Sequence, residues 1–109
     1  MIKALFFDLD GTLLTSEKTL VRSTREALRA CRKKGISLFI ATARAPLLET
    51  MLGWTEIELN LFDGGIYCNG ACEKLHGQTR YTFLPAAIVA SCVKAVQAVP
   101  ELHLALQRS

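Results

Sequence analysis

Two apolar runs constrain the fold of this chain more than any other feature of its sequence. Residues 2–7 and 36–41 are almost uncharged and rich in aromatic and branched side chains, which is typical of strands buried on both faces of a parallel sheet. Residues 65–68 predict a third strand, which ends at the turn signal of Asn69 and Gly70. Parallel neighbours need long crossover connections, so we expect helices between these strands.

The segments between the predicted strands carry helical signals. Ser23 and Glu26 have the spacing of a capping box, and Gly35 marks the end of the first helix. Pro46 suits the first turn of a short second helix. The apolar residues of this second helix, which we expect to face inward, are Leu47, Leu48, Met51 and Leu52. Residues 54–63 predict an irregular link.

The order strand–helix–strand–helix–strand predicts an α/β fold, about half of a doubly wound parallel sheet with right-handed crossovers. After residue 70 the pattern changes, because residues 71–75 and 79–83 predict a hairpin. Residues 85–99 predict a helix, and residues 101–107 alternate as a strand does.

Composition excludes several classes of partner. The 109 residues include 13 Lys+Arg and 10 Asp+Glu, a net charge of +3, which is too small to indicate nucleic acid or an anionic membrane. The longest apolar stretch is too short to cross a bilayer, and the N-terminal residues do not resemble a signal peptide. The four cysteines and two histidines have no zinc-binding spacing. We therefore expect buried thiols and a cytoplasmic location.

Two of the three aspartates follow the first predicted strand directly. Residues two apart in extended backbone face the same way, so Asp8 and Asp10 point together while Leu9 points toward the core. Two such charges about 4 Å apart repel by about 4 kcal/mol at an effective dielectric constant near 20. A hard divalent cation would offset this repulsion, and Gly11 lets the backbone turn away. The alternative is that both carboxylates cap the following loop and stay solvated.

Thr42 follows the second predicted strand, at the neighbouring position of the edge where open α/β sheets bind ligands. Its hydroxyl, with the backbone N–H groups of Ala43 and Arg44, forms a candidate anion site. The Arg44 side chain can pair with a carboxylate or phosphate, or remain solvated. Asn69 is interpreted primarily as a turn residue, and its role as a candidate substrate contact is the secondary interpretation.

These residues together resemble a known family. Asp8-Leu9-Asp10-Gly11-Thr12 after an apolar strand, Thr42 after the second strand and Asn69-Gly70-Ala71 after the third are similar to motifs of the haloacid dehalogenase (HAD) superfamily. The hairpin and helix that follow resemble its Cof-like phosphatase branch. The resemblance implies a Rossmann-like core, represented here by its first three strands in residues 1–70, and the start of an α+β cap domain in residues 71–109.

The resemblance also implies an activity: Mg²⁺-dependent hydrolysis of small phosphate monoesters of the sugar-phosphate type. Asp8 then attacks phosphorus to form an aspartyl-phosphate, and Asp10 protonates the leaving alcohol and later deprotonates water. The Asp8 carboxylate and the backbone carbonyl of Asp10 bind Mg²⁺. The other implied contacts are Leu9, Thr42 and Ala43 for phosphate, and Thr12, Arg44 and Asn69 as further candidates.

The sequence departs from the family pattern at two points. Ala43 stands where this branch usually has Gly, and the Lys and acidic pair that the family places after the cap are absent from the 109 residues. Phosphoryl transfer depends on such electrostatic stabilisation. An inactive chain that keeps a Mg²⁺/phosphate half-site and acts only by binding is therefore the alternative. The strand at residues 2–7 would also remain an exposed sheet edge, so we expect self-association through it.

Overall fold

The computed structural model describes residues 1–106, in which five strands form one sheet in chain order. The strands are β1 (Ala4–Phe7), β2 (Ser37–Ala41), β3 (Gly64–Tyr67), β4 (Cys72–Leu75) and β5 (Gln78–Tyr81). The helices are α1 (Arg22–Lys33), α2 (Leu48–Leu52), α3 (Glu56–Leu59) and α4 (Ala86–Gln97). The first three strands are parallel, and β4 and β5 join them as an antiparallel hairpin. The predicted α/β class and its three parallel strands are confirmed.

Among residues 1–106, the core lies on only one face of the sheet. Leu38 and Ile40 of β2 are buried there beneath the apolar residues of α1 and α2, among them Leu28 and Leu48. Two successive right-handed crossovers that run in the same direction across a sheet place both helices on the same face. The expectation of strands buried on both faces is therefore wrong.

The opposite face is open in the described part of the chain. Phe6 of β1 stacks on Phe39 of β2, with ring centroids 4.8 Å apart, yet Phe6 remains 58% exposed. The hairpin extends this face. Glu73 of β4 pairs with Ile66 of β3, and Leu75 lies two residues further along β4 on the same side of the sheet. The sheet thus presents an apolar surface that none of the described helices covers.

The predicted capping box of the first helix is wrong. Helix α1 begins at Arg22, one residue before Ser23, and its N-cap residue Val21 makes no side-chain cap. Glu26 instead accepts a hydrogen bond from Arg22 Nε at 2.8 Å. An (i, i+4) ion pair on the helix surface therefore occupies the carboxylate that the capping box would use.

A capping box does occur in the segment that was expected to be irregular. Glu58 Oε2 accepts a hydrogen bond from the Thr55 backbone N–H at 2.7 Å, and Thr55 Oγ1 accepts one from the Ile57 N–H at 3.3 Å. These bonds stabilise the short helix α3. Helix α2 differs from the prediction about its inward-facing residues. Leu48 is buried as expected, whereas Leu47 and Met51 are exposed.

The hairpin is confirmed with slightly shorter strands. His76 and Gly77 form its two-residue turn with φ of 50° and 76°, which is the backbone of a type I′ turn. Helix α4 is confirmed at residues 86–97, but none of its side chains is buried. Cys92 on this helix is exposed, against the expectation of buried thiols. None of the helices in residues 1–106 has the length and apolar character needed to cross a bilayer.

The strand predicted at residues 101–107 is wrong for residues 101–106, which form no strand. Gln107 lies outside the described residues. Leu102, Leu104 and Leu106 alternate in sequence but are all exposed. Alternation alone does not form a strand where no neighbouring strand supplies the hydrogen-bond ladder.

Close packing at Gly64 yields a stability prediction. A Cβ there would overlap the backbone carbonyl oxygen of Lys74 in β4, whereas a Cβ on Gly65 would lie 2.8 Å from the Tyr67 ring, a side chain rather than backbone. We expect Gly64→Ala to lower the free energy of unfolding by about 2–3 kcal/mol, and Gly65→Ala by less. Urea unfolding of the two variants measures this difference. Equal stabilities for the two variants and the wild type would contradict the β3–β4 packing.

Candidate active site

The turn after β1 positions the two acidic residues. Asp8 and Asp10 have extended backbone, and Gly11 adopts φ +78°, which reverses the chain direction. Leu13 N–H donates to the Asp8 carbonyl at 3.3 Å and closes the turn. Leu9 between the acids is fully buried, so the carboxylates of Asp8 and Asp10 point away from the core, as the sequence predicts.

The loops after β2 and β3 are joined by backbone hydrogen bonds. Thr42 N–H donates to the Ile66 carbonyl at 2.9 Å, and Asn69 N–H donates to the Thr42 carbonyl at 3.2 Å. The Arg44 carbonyl accepts from the Cys68 N–H at 2.9 Å. These bonds hold both loops at the carboxyl edge of the sheet, beside the acidic turn.

The Thr42 hydroxyl is only partly as expected. It accepts a hydrogen bond from the Arg44 backbone N–H at 3.0 Å, within a residue that is only 6% exposed. The Arg44 N–H is therefore engaged inside the loop and is not a free anion donor, which corrects that part of the predicted anion site. Because its oxygen accepts this bond, the hydroxyl proton of Thr42 can turn toward a ligand.

These loops line an open cleft of about 430 Å³. It brings together most of the predicted site residues, and its lining consists of Asp8, Asp10, Ala41, Thr42, Ala43, Ile66, Asn69 and Gly70. Leu9 is buried beneath it, whereas Thr12 is exposed and is not part of the lining. Cys68 and Asn69 have φ of 51° and 54°. Such left-handed non-glycine residues are concentrated at functional sites.

Asp10 is held by two cations. Arg44 donates from Nε to Asp10 Oδ2 at 2.7 Å and from its terminal nitrogen to Oδ1 at 2.8 Å. Lys18 Nζ lies 3.0 Å from the same Oδ1. The hydrogen bond from Arg44, and then that from Lys18, hold the pKa of Asp10 far below its usual range. Asp10 in turn raises the pKa of Arg44.

Lys18 was not identified from the sequence. It reaches Asp10 because Thr15 and Thr19 close the intervening loop through an Oγ1–Oγ1 hydrogen bond of 2.7 Å. The Lys18 backbone has a φ of +63°, which directs the chain through a tight turn. The sequence indicates a polar loop over residues 15–18 but does not specify where a side chain within it points.

The described part of the cleft offers few side-chain ligands for a magnesium ion. Residues 1–106 contain no group of three or more His, Cys, Asp or Glu side chains that could hold a metal. Within that range the Asp8 carboxylate lines the cleft without an ion pair or hydrogen bond. Mg²⁺ commonly uses one or two carboxylates together with waters and substrate phosphate. Asp8 fits such an open site, whereas the side chain of Asp10 is occupied by its two cations.

The Asp10 pairs predict a pH-dependent stability. The folded-state pKa of Asp10 lies below its usual value of 3.8, so this carboxylate stabilises the fold above about pH 4 and the contribution is lost at lower pH. We expect the stability difference between the wild type and Asp10→Asn to shrink from about pH 5 to about pH 2. Urea unfolding at a series of pH values measures it. A difference that stays constant over this range would contradict the ion pairs.

Comparison with known proteins shows which family the chain belongs to. The profile of the haloacid dehalogenase-like hydrolases matches residues 5–108. The chain is 50% identical over 42 residues to the pyridoxal phosphate phosphatase YbhA of Escherichia coli, a match that covers 38% of this chain and 15% of YbhA.

Two solved structures of phosphatases share the fold. BT1666 from Bacteroides thetaiotaomicron, a HAD-superfamily phosphatase, is 32% identical with a TM-score of 0.76, covering 92% of this chain and 37% of that one. The sugar phosphatase BT4131 is 37% identical with a TM-score of 0.63, covering 85% of this chain and 38% of that one. The chain thus spans little more than a third of the length of these structures. It belongs to the haloacid dehalogenase-like hydrolases, in their Cof-like phosphatase branch.

Proposed function

We propose that this chain contributes the nucleophile and part of the phosphate site to the Mg²⁺-dependent hydrolysis of small phosphate monoesters. The observation that carries the proposal is the Asp8 carboxylate, which faces the cleft beside Thr42 without a protein partner among residues 1–106. A carboxylate that is exposed to a ligand site and not neutralised can act as a nucleophile. The phosphatase names of YbhA and BT4131 support phosphorylated metabolites, including sugar phosphates, as the substrate class.

In the proposed reaction, a carboxylate oxygen of Asp8 attacks the phosphorus of the ester. The new O–P bond forms as the bond to the alcohol oxygen breaks, and the alcohol leaves with a proton. Water then attacks the aspartyl-phosphate, which releases inorganic phosphate and restores the Asp8 carboxylate. Mg²⁺ held by the Asp8 carboxylate and the Asp10 backbone carbonyl would neutralise charge on the transferring group.

Asp10 is the proposed acid and base of this reaction. While Arg44 and Lys18 hold it ionised, it has no proton to give the alcohol. The same two cations make it a weak base toward the attacking water, so both proton transfers require the pair with Arg44 to open.

The phosphoryl oxygens are proposed to lie against the loops after β1 and β2. The Thr42 hydroxyl would donate one hydrogen bond, and the backbone N–H groups near Leu9 and Ala43 would donate others. Asn69 lines the same cleft and is proposed to contact the rest of the substrate. Thr12 is exposed outside the lining, so we assign it no direct contact.

The division of the chain is also a proposal. Residues 1–70 supply the parallel strands and every loop of the cleft, so we assign them to the HAD core. We assign residues 71–109 to the start of the cap, although β4 and β5 continue the same sheet. A cytoplasmic location is proposed with this assignment, because soluble phosphorylated metabolites are the expected substrates.

Hydrolysis of p-nitrophenyl phosphate tests the proposed activity. We expect turnover by the purified chain that requires Mg²⁺ and falls about a thousandfold or more in Asp8→Asn, since the nucleophile is lost. Glu73→Gln is the matched control, because Glu73 forms an exposed ion pair with Arg80 and does not line the cleft.

The alternative function makes a distinct prediction for the same assay. Wild-type turnover no higher than that of Asp8→Asn would contradict catalysis by this chain. Such a result with Mg²⁺-dependent phosphate binding retained would favour the inactive half-site, which acts only by binding.

Self-association is proposed at the free edge of β1. This strand pairs only with β2 among the described strands, and Phe6 on it is 58% exposed. Unpaired apolar edges recruit further strands. We expect the chain to sediment as a dimer or larger species at micromolar concentration, and Phe6→Lys to shift it toward monomer. A strictly monomeric wild type would contradict this interface.

A further inference from the structure

We propose that Asp10 and the phosphoryl group of a ligand compete for Arg44, so that ligand binding opens the Arg44–Asp10 pair. This inference rests on the proposed phosphate site in the cleft. It adds a phosphoryl-binding role for Arg44, and it assigns to Lys18 the role of holding Asp10 in place when Arg44 leaves.

The first support is the position of Arg44 behind Asp10. Asp10 lines the cleft and also accepts both hydrogen bonds from the Arg44 guanidinium, at 2.7 and 2.8 Å. Arg44 does not line the cleft, and its side chain is 20% exposed. The carboxylate therefore separates the guanidinium from the space that a ligand would occupy.

The second support is the match between the two acceptors. A guanidinium binds carboxylate and phosphate oxygens through the same pair of parallel N–H groups. A phosphoryl dianion carries more charge than one carboxylate, so it is a strong competitor for this fork. Exchange of Arg44 from Asp10 to the ligand keeps both of its hydrogen bonds.

The third support is the anchored backbone of Arg44. Its N–H donates to Thr42 Oγ1 at 3.0 Å, and its carbonyl accepts from the Cys68 N–H at 2.9 Å. Because the main chain is held beside the Thr42 hydroxyl, the exchange is made by the Arg44 side chain while its backbone stays in place.

Lys18 retains Asp10 when Arg44 leaves. It contacts Oδ1 at 3.0 Å from a loop that the Thr15–Thr19 hydrogen bond closes. Two cations and one carboxylate leave this cluster with one surplus positive charge. Asp10 therefore keeps a partner after the exchange, while Arg44 supplies its charge to the ligand.

Binding of inorganic phosphate tests the competition without requiring turnover. The dissociation constant is measured by calorimetry with Mg²⁺ for the wild type, Asp10→Asn, Arg44→Met and the double variant. We expect Asp10→Asn to bind phosphate about two- to fivefold more tightly, as release of a partly exposed ion pair allows. This gain should disappear in the Arg44→Met background.

Simple charge repulsion predicts a different pattern. If Asp10 only repels phosphate, its neutralisation tightens binding equally with or without Arg44, and that result would overturn the proposal. An unchanged affinity in Asp10→Asn would overturn it as well. Glu73→Gln is the matched control, because it removes a carboxylate from an exposed pair with Arg80 outside the cleft. If Arg44→Met does not fold, Arg44→Lys takes its place in the comparison, because Lys keeps the positive charge but lacks the two parallel N–H groups of the guanidinium.

The underlying phosphate site is tested separately by Thr42→Val. If this variant weakens phosphate binding while Asp10→Asn has no effect, the competition alone is wrong. If neither variant changes the affinity, the cleft is not the phosphate site and both proposals fail.

Discussion

The parallel pairing of β1 with β2 is the interaction on which the site depends. Its register places Phe7 opposite Ile40, so the residues that follow the two strands emerge at the same edge of the sheet. Asp8 and Thr42 therefore meet in one cleft although 33 positions separate them in the sequence. Burial of Leu9, Leu38 and Ile40 on the helical face anchors this register, since a slip by one residue would turn their side chains to the open face.

The electrostatics of the cleft separate two carboxylates that lie two residues apart. The Asp8 carboxylate has no protein partner in the described part of the chain, whereas Asp10 is bound by Arg44 and Lys18. This asymmetry relieves the repulsion between the carboxylates without a metal ion, and it leaves Asp8 as the open ligand. It also explains how similar side chains can take different proposed roles, one as nucleophile and one as proton carrier.

The sequence was sufficient for features that rest on strong local patterns. The apolar runs before Asp8 and Thr42 predict the strands β1 and β2, and the pleat predicts that Asp8 and Asp10 face together. The contacts of Lys18 and Arg44 with Asp10 could not be predicted from the sequence, because they depend on how the loop closes and on side-chain rotamers. The one-sided core was missed because apolar runs do not reveal which face is covered. The capping-box spacing occurs at both Ser23 and Thr55, but at Ser23 the carboxylate of Glu26 is engaged by Arg22, so a box forms only at Thr55 among these two sites.

The central claim is that Asp8 receives the phosphoryl group. Fluorine NMR with beryllium fluoride and Mg²⁺ tests it directly, because trifluoroberyllate binds a carboxylate oxygen in the geometry of an acyl-phosphate. The account predicts bound fluorine resonances in the wild type that require Mg²⁺ and are absent in Asp8→Asn. Bound resonances that persist unchanged in Asp8→Asn, or their absence from the wild type, would contradict it.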